Sequence, residues 1–340
     1  MTFQSTQVER TERQLGNQQL IVRNLLEHNA SDSGQDAVEG LSSQPKSLPS
    51  KYFYDEQGSQ LFEQICQLRE YYPTRTEIDI IKKFGREISQ TTGPSELIEL
   101  GSGSATKARI LLNAYQVAGY PLRYLPIDVS STMLTESVQT LAAEYPDLSV
   151  HGFVSTYELA LSRLPPPQMP TRMLCFMGST LGNFQLGQCD EILTKISDSL
   201  HPGDYFLLGI DLQKEISILE AAYNDSENVT AAFNLNMLNH LNRRFDGDFE
   251  LKDFEHVAYY NQKNAQIEMY LRSLKAQYVC LNALDFSVSF EKNELILSEI
   301  SRKFNLNETS QLLTNRGFST VKVFVDRNQW FSLLLCRRVM

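Results

Sequence analysis

The chain has 340 residues, of which 42% are hydrophobic, and its 31 Lys and Arg against 41 Asp and Glu give a net charge of −10. This length suffices for one large domain or two closely joined ones, and the negative charge argues against nonspecific binding to nucleic acid or anionic membranes. No apolar run approaches the ~20 residues that span a bilayer, and residues 1–29 lack the apolar segment of a signal peptide, so we expect a cytoplasmic protein with a small-molecule substrate.

The N-terminal part of the chain shows little regular patterning. Residues 1–45 are rich in Gln, Ser and Asn, and we expect a flexible, partly helical segment with one amphipathic helix at Gln14–His28. An aromatic, helical pattern follows from Tyr52 to Arg86 and is interrupted at Pro73. Five scattered cysteines without a Cys-x-x-Cys motif predict free thiols rather than a disulfide framework or a metal site.

Strands and helices alternate in the middle of the chain. The predicted strands are Leu97–Leu100, Arg123–Ile127, Ser149–Val154, Met173–Met177 and Tyr205–Ile210. The predicted helices between them are Ala105–Ala118, Thr132–Glu144 and Cys189–Leu200. This alternation predicts an α/β fold whose parallel sheet has right-handed crossovers.

The rhythm changes after Asp211. Two predicted helices, Lys214–Tyr223 and Thr230–Arg244, precede a set of strands that we interpret as an antiparallel meander in a second domain: His256–Tyr260, Gln266–Ala276, Tyr278–Leu284 and Ile296–Ser301. A last helix and two strands are predicted to return to the first sheet as an antiparallel edge: Asn307–Arg316, Thr320–Val325 and Ser332–Arg337.

The first candidate site is a glycine turn between a buried strand and a helix. Gly101 and Gly103 allow a ligand to approach the backbone closely, and the helix that follows offers free N–H groups. The dinucleotide fingerprint has a third glycine where this chain has Thr106. An acidic residue at the end of the strand followed by Gly-x-Gly is typical of S-adenosylmethionine-dependent methyltransferases, although a plain strand-to-helix turn is the alternative.

Two charged residues extend this candidate site. Asp128 ends the next strand, where a carboxylate can accept hydrogen bonds from ribose hydroxyls, or it caps the helix that follows Ser130. Lys107 lies near the positive end of a helix dipole, which is mildly unfavourable. An anionic partner such as the carboxylate of a cofactor explains this position, and a solvated surface lysine is the alternative.

The loop after Met173–Met177 contributes Asn183. In an open parallel sheet the ligand crevice lies beyond the carboxyl ends of the strands where the winding reverses, which here is between the first and fourth predicted strands. Asn183 would therefore face the transferred methyl group, and its amide can fix an amine while leaving the nitrogen lone pair free. A loop-stabilising role is the alternative.

Aromatic residues surround the predicted second pocket: Tyr54, Phe62, Tyr71, Tyr223 and Phe233. Such rings suit a cationic nitrogen, and for Phe62 and Phe233 core packing is an equal alternative. Glu299 and Ser301 are two positions apart in a predicted strand, so that both side chains share one face and can point into one pocket. A solvent-facing strand is the alternative for this pair.

Seven blocks of the chain carry a wider pattern: Lys46–Pro49, Phe53–Asp55, Glu70–Glu77, Glu99–Gly103, Gly178–Asn183, Thr230–Asn234 and Glu299–Phe304. Together they resemble the L-histidine Nα-methyltransferases of ergothioneine biosynthesis, and the resemblance runs from about Lys46 to the C-terminus. The resemblance implies a class I S-adenosylmethionine-dependent methyltransferase, with a Rossmann-like, mostly parallel sheet and an antiparallel C-terminal edge. It also implies a second, α+β substrate-binding domain, formed by residues 46–76 and 214–303, beside a methyltransferase domain of residues 77–213 and 304–340.

The resemblance also implies roles for individual residues. Those implied to bind the amino acid are Tyr71, Asn183 and Tyr223 at its amino and carboxylate groups, and Glu299, Ser301 and Met269 at its imidazole. Those implied to bind the cofactor are Gly101, Gly103, Lys107 and Asp128, with Thr156 and Tyr157 at the adenine end. The family usually has Asp-Phe at those last two positions, so the ring is kept and the carboxylate is not.

The reaction implied is the transfer of three methyl groups from S-adenosylmethionine to the α-amine of L-histidine and its mono- and dimethylated forms, giving hercynine. A sulfonium already carries its leaving group, so the enzyme has to align an unprotonated amine, and no metal is required. Tyr54 and Asn183 are the candidate catalytic residues, with Tyr54 or water accepting the proton, and Tyr54 and Phe62 can stabilise the trimethylammonium. The alternatives are another aromatic amino acid as substrate, or a non-catalytic cofactor-binding module. We expect a monomer.

Overall fold

Fifteen strands and ten α-helices lie within residues 10–15, 18–26 and 33–339, which are the residues that the computed structural model describes. The strands are β1 (Arg10–Leu15), β2 (Gln18–Asn24), β3 (Lys46–Ser47), β4 (Ser95–Leu100), β5 (Arg123–Asp128), β6 (Ser149–Val154), β7 (Thr171–Phe176), β8 (Tyr205–Asp211), β9 (Phe254–Asn261), β10 (Gln266–Ser273), β11 (Gln277–Leu281), β12 (Phe286–Phe290), β13 (Leu295–Arg302), β14 (Phe318–Val325) and β15 (Phe331–Arg338). The helices are α1 (Gln35–Ser42), α2 (Glu56–Gln67), α3 (Tyr72–Thr92), α4 (Thr106–Val117), α5 (Ser131–Glu144), α6 (Tyr157–Leu161), α7 (Leu186–Ser199), α8 (Ile216–Ala221), α9 (Val229–Phe245) and α10 (Leu306–Thr314).

A nine-stranded sheet forms the larger part of the molecule, in the order β1-β2-β6-β5-β4-β7-β8-β15-β14. The six strands from β2 to β8 in this order are parallel. At the C-terminal edge, β15 pairs antiparallel with β8, and β14 pairs antiparallel with β15. Buried hydrophobic clusters cover both faces of the sheet. The predicted α/β fold, with its mostly parallel sheet and antiparallel C-terminal edge, is confirmed.

The winding of this sheet reverses between β4 and β7. From β4 the chain adds β5 and β6 on one side, and it then crosses to add β7 and β8 on the other. The loops that follow β4 and β7 consequently diverge and leave a crevice at the carboxyl ends of the strands. This is the position predicted for the ligand crevice.

The predicted helix at Gln14–His28 is wrong in the described part of that range. Residues 18–24 form β2, which pairs with β1 on one side and with β6 on the other. Leu20 and Ile21 are buried against the large sheet, and parallel pairing with β6 gives β2 a ladder of backbone hydrogen bonds. Pairing with a distant strand therefore overrides the local amphipathic pattern.

A second lobe contains α1, α2, α8, α9 and the strands β3 and β9–β13. Its main sheet has the order β3-β13-β10-β9, and β11 and β12 form a separate hairpin. A continuous hydrophobic cluster, distinct from those of the large sheet, fills this lobe. The predicted meander is therefore wrong in its pairing, because β11 pairs with the unpredicted β12 while β13 pairs with β10.

The boundaries proposed between the two domains stay a prediction. Within residues 1–45, the described parts belong to different lobes, since β1 and β2 extend the large sheet while Ala37 and Leu41 of α1 pack in the second lobe. Residues 1–9, 16–17 and 27–32 of the segment expected to be flexible lie outside the described residues. The helical pattern predicted from Tyr52 to Arg86 is interrupted between the end of α2 at Gln67 and the start of α3 at Tyr72. Pro73 lies in the first turn of α3, a position that tolerates proline. Among the described residues, no helix is long and apolar enough to cross a membrane.

Candidate active site

A cavity of about 760 Å³ lies between the large sheet and the second lobe. Its walls come from the loops after β4, β5 and β7 on one side and from α2, the start of α3 and β13 on the other. The structure brings most of the candidate residues together here: Tyr54, Phe62, Tyr71, Gly101, Gly103, Lys107, Asp128, Tyr157, Asn183, Tyr223, Glu299 and Ser301.

The glycine turn adopts a backbone that other residues rarely take. Gly101 has φ +73° and Gly103 has φ +47°. A Cβ atom at Gly101 would lie 2.8 Å from the Tyr157 hydroxyl, so a larger residue would have to displace that ring. At Gly103 nothing lies within 4 Å of the corresponding point, and the backbone there faces open space. The turn thus leaves space next to its main chain in which a ligand can lie.

Asp128 holds this turn in place. Its Oδ2 accepts a hydrogen bond from the Gly103 amide at 2.8 Å, and its Oδ1 accepts one from the Ser130 amide at 2.9 Å. The cap of α5 is Ser130, whose hydroxyl accepts from the Met133 amide. Burial raises the pKa of Asp128, while the hydrogen bonds from Ser130 and Gly103 lower it. The Val129 amide also donates to Asp128. A carboxylate has about four acceptor positions, so these three amides leave room for a hydrogen bond from a ligand.

Lys107 has an anionic partner within the protein. Its Nζ lies 2.9 Å from Glu77 Oε2, and Glu77, on α3, is completely buried. Glu77 also accepts hydrogen bonds from the Gly178 amide, at 3.0 and 2.8 Å. Burial alone would lower the pKa of Lys107, but the carboxylates of Glu77 and Glu99 outweigh it and raise the pKa. We call Glu77 with Lys107 and Gly178 the Glu77 clamp, because it joins the start of α4 to the loop after β7 on the two sides of the crevice.

Asn183 ends a short 3-10 helix, Thr180–Asn183, in the loop after β7. This loop packs directly on β13, because a Cβ atom at Gly182 would lie 2.7 Å from the Arg302 carbonyl oxygen. The close approach places Asn183 in the same cavity as Glu299. No hydrogen bond within the described chain engages the Asn183 amide, which leaves it available to a ligand.

Aromatic rings line the half of the cavity formed by the second lobe. The rings of Tyr54 and Phe62 are 6.1 Å apart, those of Phe62 and Tyr71 are 6.4 Å apart, and those of Tyr71 and Tyr223 are 6.0 Å apart, all edge to face. The pKa values of Tyr54 and Tyr71 both lie well above the ordinary value. Burial is the main cause, and neighbouring acidic groups add to it. These two side chains are therefore neutral phenols at physiological pH.

Glu299 and Ser301 share one face of β13. The partner strand β10 has a register shift at Met269, which pairs with Glu299, while Tyr270 pairs with Leu297. Burial raises the pKa of Glu299, and the Lys303 ammonium opposes this effect only in part, so that the pKa is about 7. Across residues 33–339 no donor contacts the Glu299 carboxylate, whereas the Ser301 hydroxyl contacts the Tyr223 hydroxyl at 2.8 Å. The solvent-facing alternative for this strand is excluded, since both residues line the cavity.

The family model of histidine-specific, S-adenosylmethionine-dependent methyltransferases matches residues 33–338. The chain belongs to this family. It is 40% identical over 314 residues to histidine N-alpha-methyltransferase of Mycolicibacterium smegmatis, covering 91% of this chain and 97% of that protein. It is 37% identical over 304 residues to the Mycobacterium tuberculosis protein of the same name, covering 89% of this chain and 94% of that protein. Ergothioneine biosynthesis protein 1 of Schizosaccharomyces pombe is 28% identical over 288 residues, covering 82% of this chain and 37% of that protein.

The resemblance inferred from the sequence blocks is thus confirmed, and with it the use of S-adenosylmethionine. The residues of this methyltransferase fit that cofactor. The open space at Gly103 can take a ligand against the backbone, and the remaining acceptor capacity of Asp128 suits a ribose hydroxyl. The Tyr157 ring lines the same cavity, with its hydroxyl next to Gly101. When bound, S-adenosylmethionine supplies a methyl group on a positively charged sulfur.

Three of the candidate residues do not line the cavity. Thr156 is exposed, and its hydroxyl accepts from the Leu159 amide at the start of α6. Met269 is 1% exposed and packs in the hydrophobic core of the second lobe, directly opposite Glu299. Phe233 stacks on Phe53 with ring centroids 4.5 Å apart, as the core-packing alternative predicts.

A buried polar cluster in the wall of the cavity, which Asp211 and Lys303 help to line, was not predicted from the sequence. The Lys303 ammonium contacts Asp211 Oδ2 at 2.9 Å, and the Tyr72 hydroxyl donates to Asp211 at 2.8 and 2.9 Å. Lys214 also pairs with Asp211. We call Asp211, Lys303, Lys214 and Tyr72 the Asp211 cluster. The sequence contained one indication of Lys303, because this residue follows Glu299 and Ser301 at the same spacing of two positions. Its pairing with Asp211, which ends β8, required the fold.

Proposed function

We propose that this methyltransferase transfers three methyl groups in succession from S-adenosylmethionine to the α-amine of L-histidine, giving hercynine, the first step of ergothioneine biosynthesis. The observation that carries the proposal is the Glu299 carboxylate, which has no donor from the described chain and shares one cavity with Ser301 and with the glycine turn. A carboxylate beside a hydroxyl suits the two nitrogens of an imidazole, whereas an indole has a single N–H.

In this proposal each half of the cavity holds one substrate. Gly101, Gly103, Lys107 and Asp128 hold the cofactor with Tyr157, and Thr156 caps the helix from which that ring projects. Tyr71, Asn183 and Tyr223 bind the amino and carboxylate groups of histidine. Glu299 and Ser301 bind the imidazole, with Met269 packed behind Glu299. One hydrogen bond to a charged group is worth about 1.5–3 kcal/mol, or roughly 10- to 150-fold in selectivity.

The chemical contribution of the protein is positioning. The amide of Asn183 can hold the amine with its lone pair directed at the methyl group, which converts a bimolecular encounter into an aligned one. Tyr54 is a neutral phenol, because its pKa lies well above the ordinary value, and its oxygen can accept a hydrogen bond from the amine. The amine loses one proton to water before each transfer, and the third transfer releases none because it leaves a permanently cationic trimethylammonium. The faces of Tyr54 and Phe62 stabilise the cationic methylated amine.

We also propose that the enzyme is a monomer and that it acts in the cytoplasm. Light scattering coupled to gel filtration tests the first part of this proposal: a dimer that falls apart together with the activity on dilution would contradict it.

The function is tested by incubating the purified protein with S-adenosylmethionine and, separately, L-histidine, L-tryptophan, L-tyrosine and L-phenylalanine, followed by mass spectrometry. We expect one, two and finally three methyl groups on histidine. The absence of methylated histidine would overturn the proposal, and a methylated product from another aromatic amino acid would favour that alternative substrate. Calorimetry that shows cofactor binding without histidine binding would favour a non-catalytic module.

A further inference from the structure

Lys303 has all its hydrogen-bonding capacity committed to the protein. Its ammonium contacts the Tyr223 hydroxyl at 3.0 Å, the Ser301 hydroxyl at 2.9 Å and Asp211 Oδ2 at 2.9 Å. An ammonium has three N–H donors, and these three contacts use them all. The side chain is 1% exposed. Lys303 therefore leaves no donor for a substrate, and it can act only through the groups that it contacts.

The two hydroxyls that receive these donors also contact each other. The Tyr223 oxygen lies 2.8 Å from the Ser301 oxygen, with the tyrosine as donor. Each hydroxyl oxygen has two acceptor positions. Those of Ser301 are both occupied, one by Lys303 and one by Tyr223. The Ser301 hydroxyl thus retains only its own proton, and since Ser301 lines the cavity, that proton is available to a ligand.

Glu299 offers the opposite polarity two positions earlier on the same strand. Its carboxylate, when ionised, can only accept hydrogen bonds, and no donor from the described chain contacts it. A ligand ring that bridges Ser301 and Glu299 must therefore accept at one point and donate at the other. A neutral imidazole has one unprotonated nitrogen and one N–H. An imidazolium has two N–H groups, and one of them would face the Ser301 proton.

We propose that Lys303 is a positioning residue that fixes Ser301 as a hydrogen-bond donor, so that the site selects the neutral, single-tautomer form of the imidazole. This inference rests on the proposed function, since it takes histidine as the ligand. The Asp211 cluster keeps the ammonium in place: Asp211 binds Lys303 at one oxygen and Lys214 at the other, and it accepts from the Tyr72 hydroxyl at both. The charged or titratable groups around the ring site are Glu299, Lys303, Tyr54, Tyr71 and Tyr223.

The first test needs no substitution. Histidine labelled with ¹⁵N in the ring is bound to the enzyme in the presence of S-adenosylhomocysteine, and its nitrogen shifts are followed from about pH 8 to about pH 6, below the ordinary imidazole pKa of about 6.5. We expect one protonated and one unprotonated nitrogen throughout. Two protonated nitrogens in the bound ring would overturn the inference alone. No saturable binding of histidine would instead contradict the proposed function.

The second test removes the donors of Lys303. Binding of histidine is compared with binding of β-(pyrrol-2-yl)alanine, whose ring has an N–H but no acceptor nitrogen. We expect the wild type to favour histidine by about tenfold or more, and Lys303→Met to reduce this ratio to about threefold or less, with an unchanged Kd for S-adenosylhomocysteine. Lys292→Met, at an exposed lysine before β13, is the matched control and should keep the full ratio.

A merely structural role for Lys303 gives a different result. In that case Lys303→Met weakens histidine and the pyrrole analogue by the same factor and leaves their ratio intact, which would overturn the inference. If Lys303→Met does not fold, Tyr223→Phe tests the same point, because it removes the proton donated to Ser301. The ratio should then fall as well, and an unchanged ratio would contradict the inference.

Discussion

The carboxylate of Glu77 fills the space next to Gly209 on β8: a Cβ atom at position 209 would lie 2.1 Å from Glu77 Oε1 and 3.2 Å from its Cδ. The φ angle of Gly209 is not positive, so its backbone conformation does not require a glycine. Glycine is needed there because a side chain would collide with the Glu77 carboxylate. The glycine leaves room for Glu77 to reach both Lys107 and the Gly178 amide. The Glu77 clamp thus depends on a residue of β8, which is not itself part of the clamp.

Gly209→Ala should displace the Glu77 carboxylate and weaken the clamp. We expect a loss of about 1–3 kcal/mol in the free energy of unfolding, the usual cost of overpacking, and a weaker affinity for S-adenosylhomocysteine, since Lys107 and Gly178 both line the cavity. Urea unfolding and calorimetry measure the two effects. Gly187→Ala is the control: nothing lies within 4 Å of its added Cβ in α7, so stability should hold or rise by up to ~1 kcal/mol. Equal behaviour of the two variants would contradict the steric argument.

Two glutamates of α3 allow the buried and exposed ion pairs to be compared. Glu77 and Glu87 each have a lysine Nζ at 2.9 Å, from Lys107 and Lys322, but the Glu77 side chain is fully buried while that of Glu87 is 44% exposed. Glu77→Gln removes the only carboxylate of the described chain that contacts the partly shielded Lys107 ammonium directly, and we expect a destabilisation of about 1–3 kcal/mol. Glu87→Gln should cost less than about 1 kcal/mol, and salt should reduce that further.

Urea unfolding at low and high salt provides this comparison. A Glu77→Gln effect as small and as salt-dependent as that of Glu87→Gln would show that the clamp does not stabilise the fold.

Glu299→Ala should reduce kcat/KM for histidine by roughly 10- to 150-fold, the value of one hydrogen bond to a charged group, and leave the Kd for S-adenosylhomocysteine unchanged. Steady-state kinetics with histidine and calorimetry with S-adenosylhomocysteine measure these quantities. Glu291→Ala, at an exposed glutamate before β13, should behave as the wild type. Unchanged histidine kinetics in Glu299→Ala would remove this residue from the substrate site.

The pKa of Glu299 also predicts how stability depends on pH. Burial raises this pKa from its ordinary 4.5 to about 7, so between these values the folded state binds more protons than the unfolded state. The contribution of Glu299 to stability is therefore present below about pH 4.5 and is lost as the pH rises to about 7. The affinity for histidine should change with pH in the opposite direction to stability, because the ionised Glu299 carboxylate is the hydrogen-bond acceptor. We expect the enzyme to bind histidine more tightly as the pH rises through the upper part of this range.

Glu299→Gln should flatten the stability profile over the same interval. Burial also raises the pKa of Glu99 to about 7, so the variant should lose only part of the pH dependence of the wild type. Urea unfolding of both proteins at about pH 5 and about pH 7.5 gives the comparison. Identical slopes in the two proteins would contradict the raised pKa of Glu299.

The parts of the site that depend on local order were predictable from the sequence. Gly101 and Asn183 follow strands in an alternating pattern, and the position of the crevice follows from the winding of a parallel sheet. Glu299 and Ser301 share a face because strand side chains alternate. These arguments use only neighbours along the chain and the rules of sheet topology.

The remaining features depend on contacts between distant segments. Lys107 appeared unusual for a helix start, but its partner Glu77 lies 30 positions earlier and faces it only when α3 packs on the sheet. The strand β2 forms because β6 offers it an edge, and the Asp211 cluster joins residues from α3, the end of β8 and the end of β13. Neither composition nor periodicity contains that information.

The Asp211 cluster has a consequence for how the cavity can admit its substrates. It ties the last residue of β8 to Lys303 of the second lobe through groups that are almost inaccessible to solvent. Pulling the two parts of the molecule apart there would leave charges unpaired in apolar surroundings, at a cost of several kcal/mol. The cluster therefore holds the two parts of the molecule together at this part of the cavity, and we expect substrates to enter where no such buried pairing has to be broken.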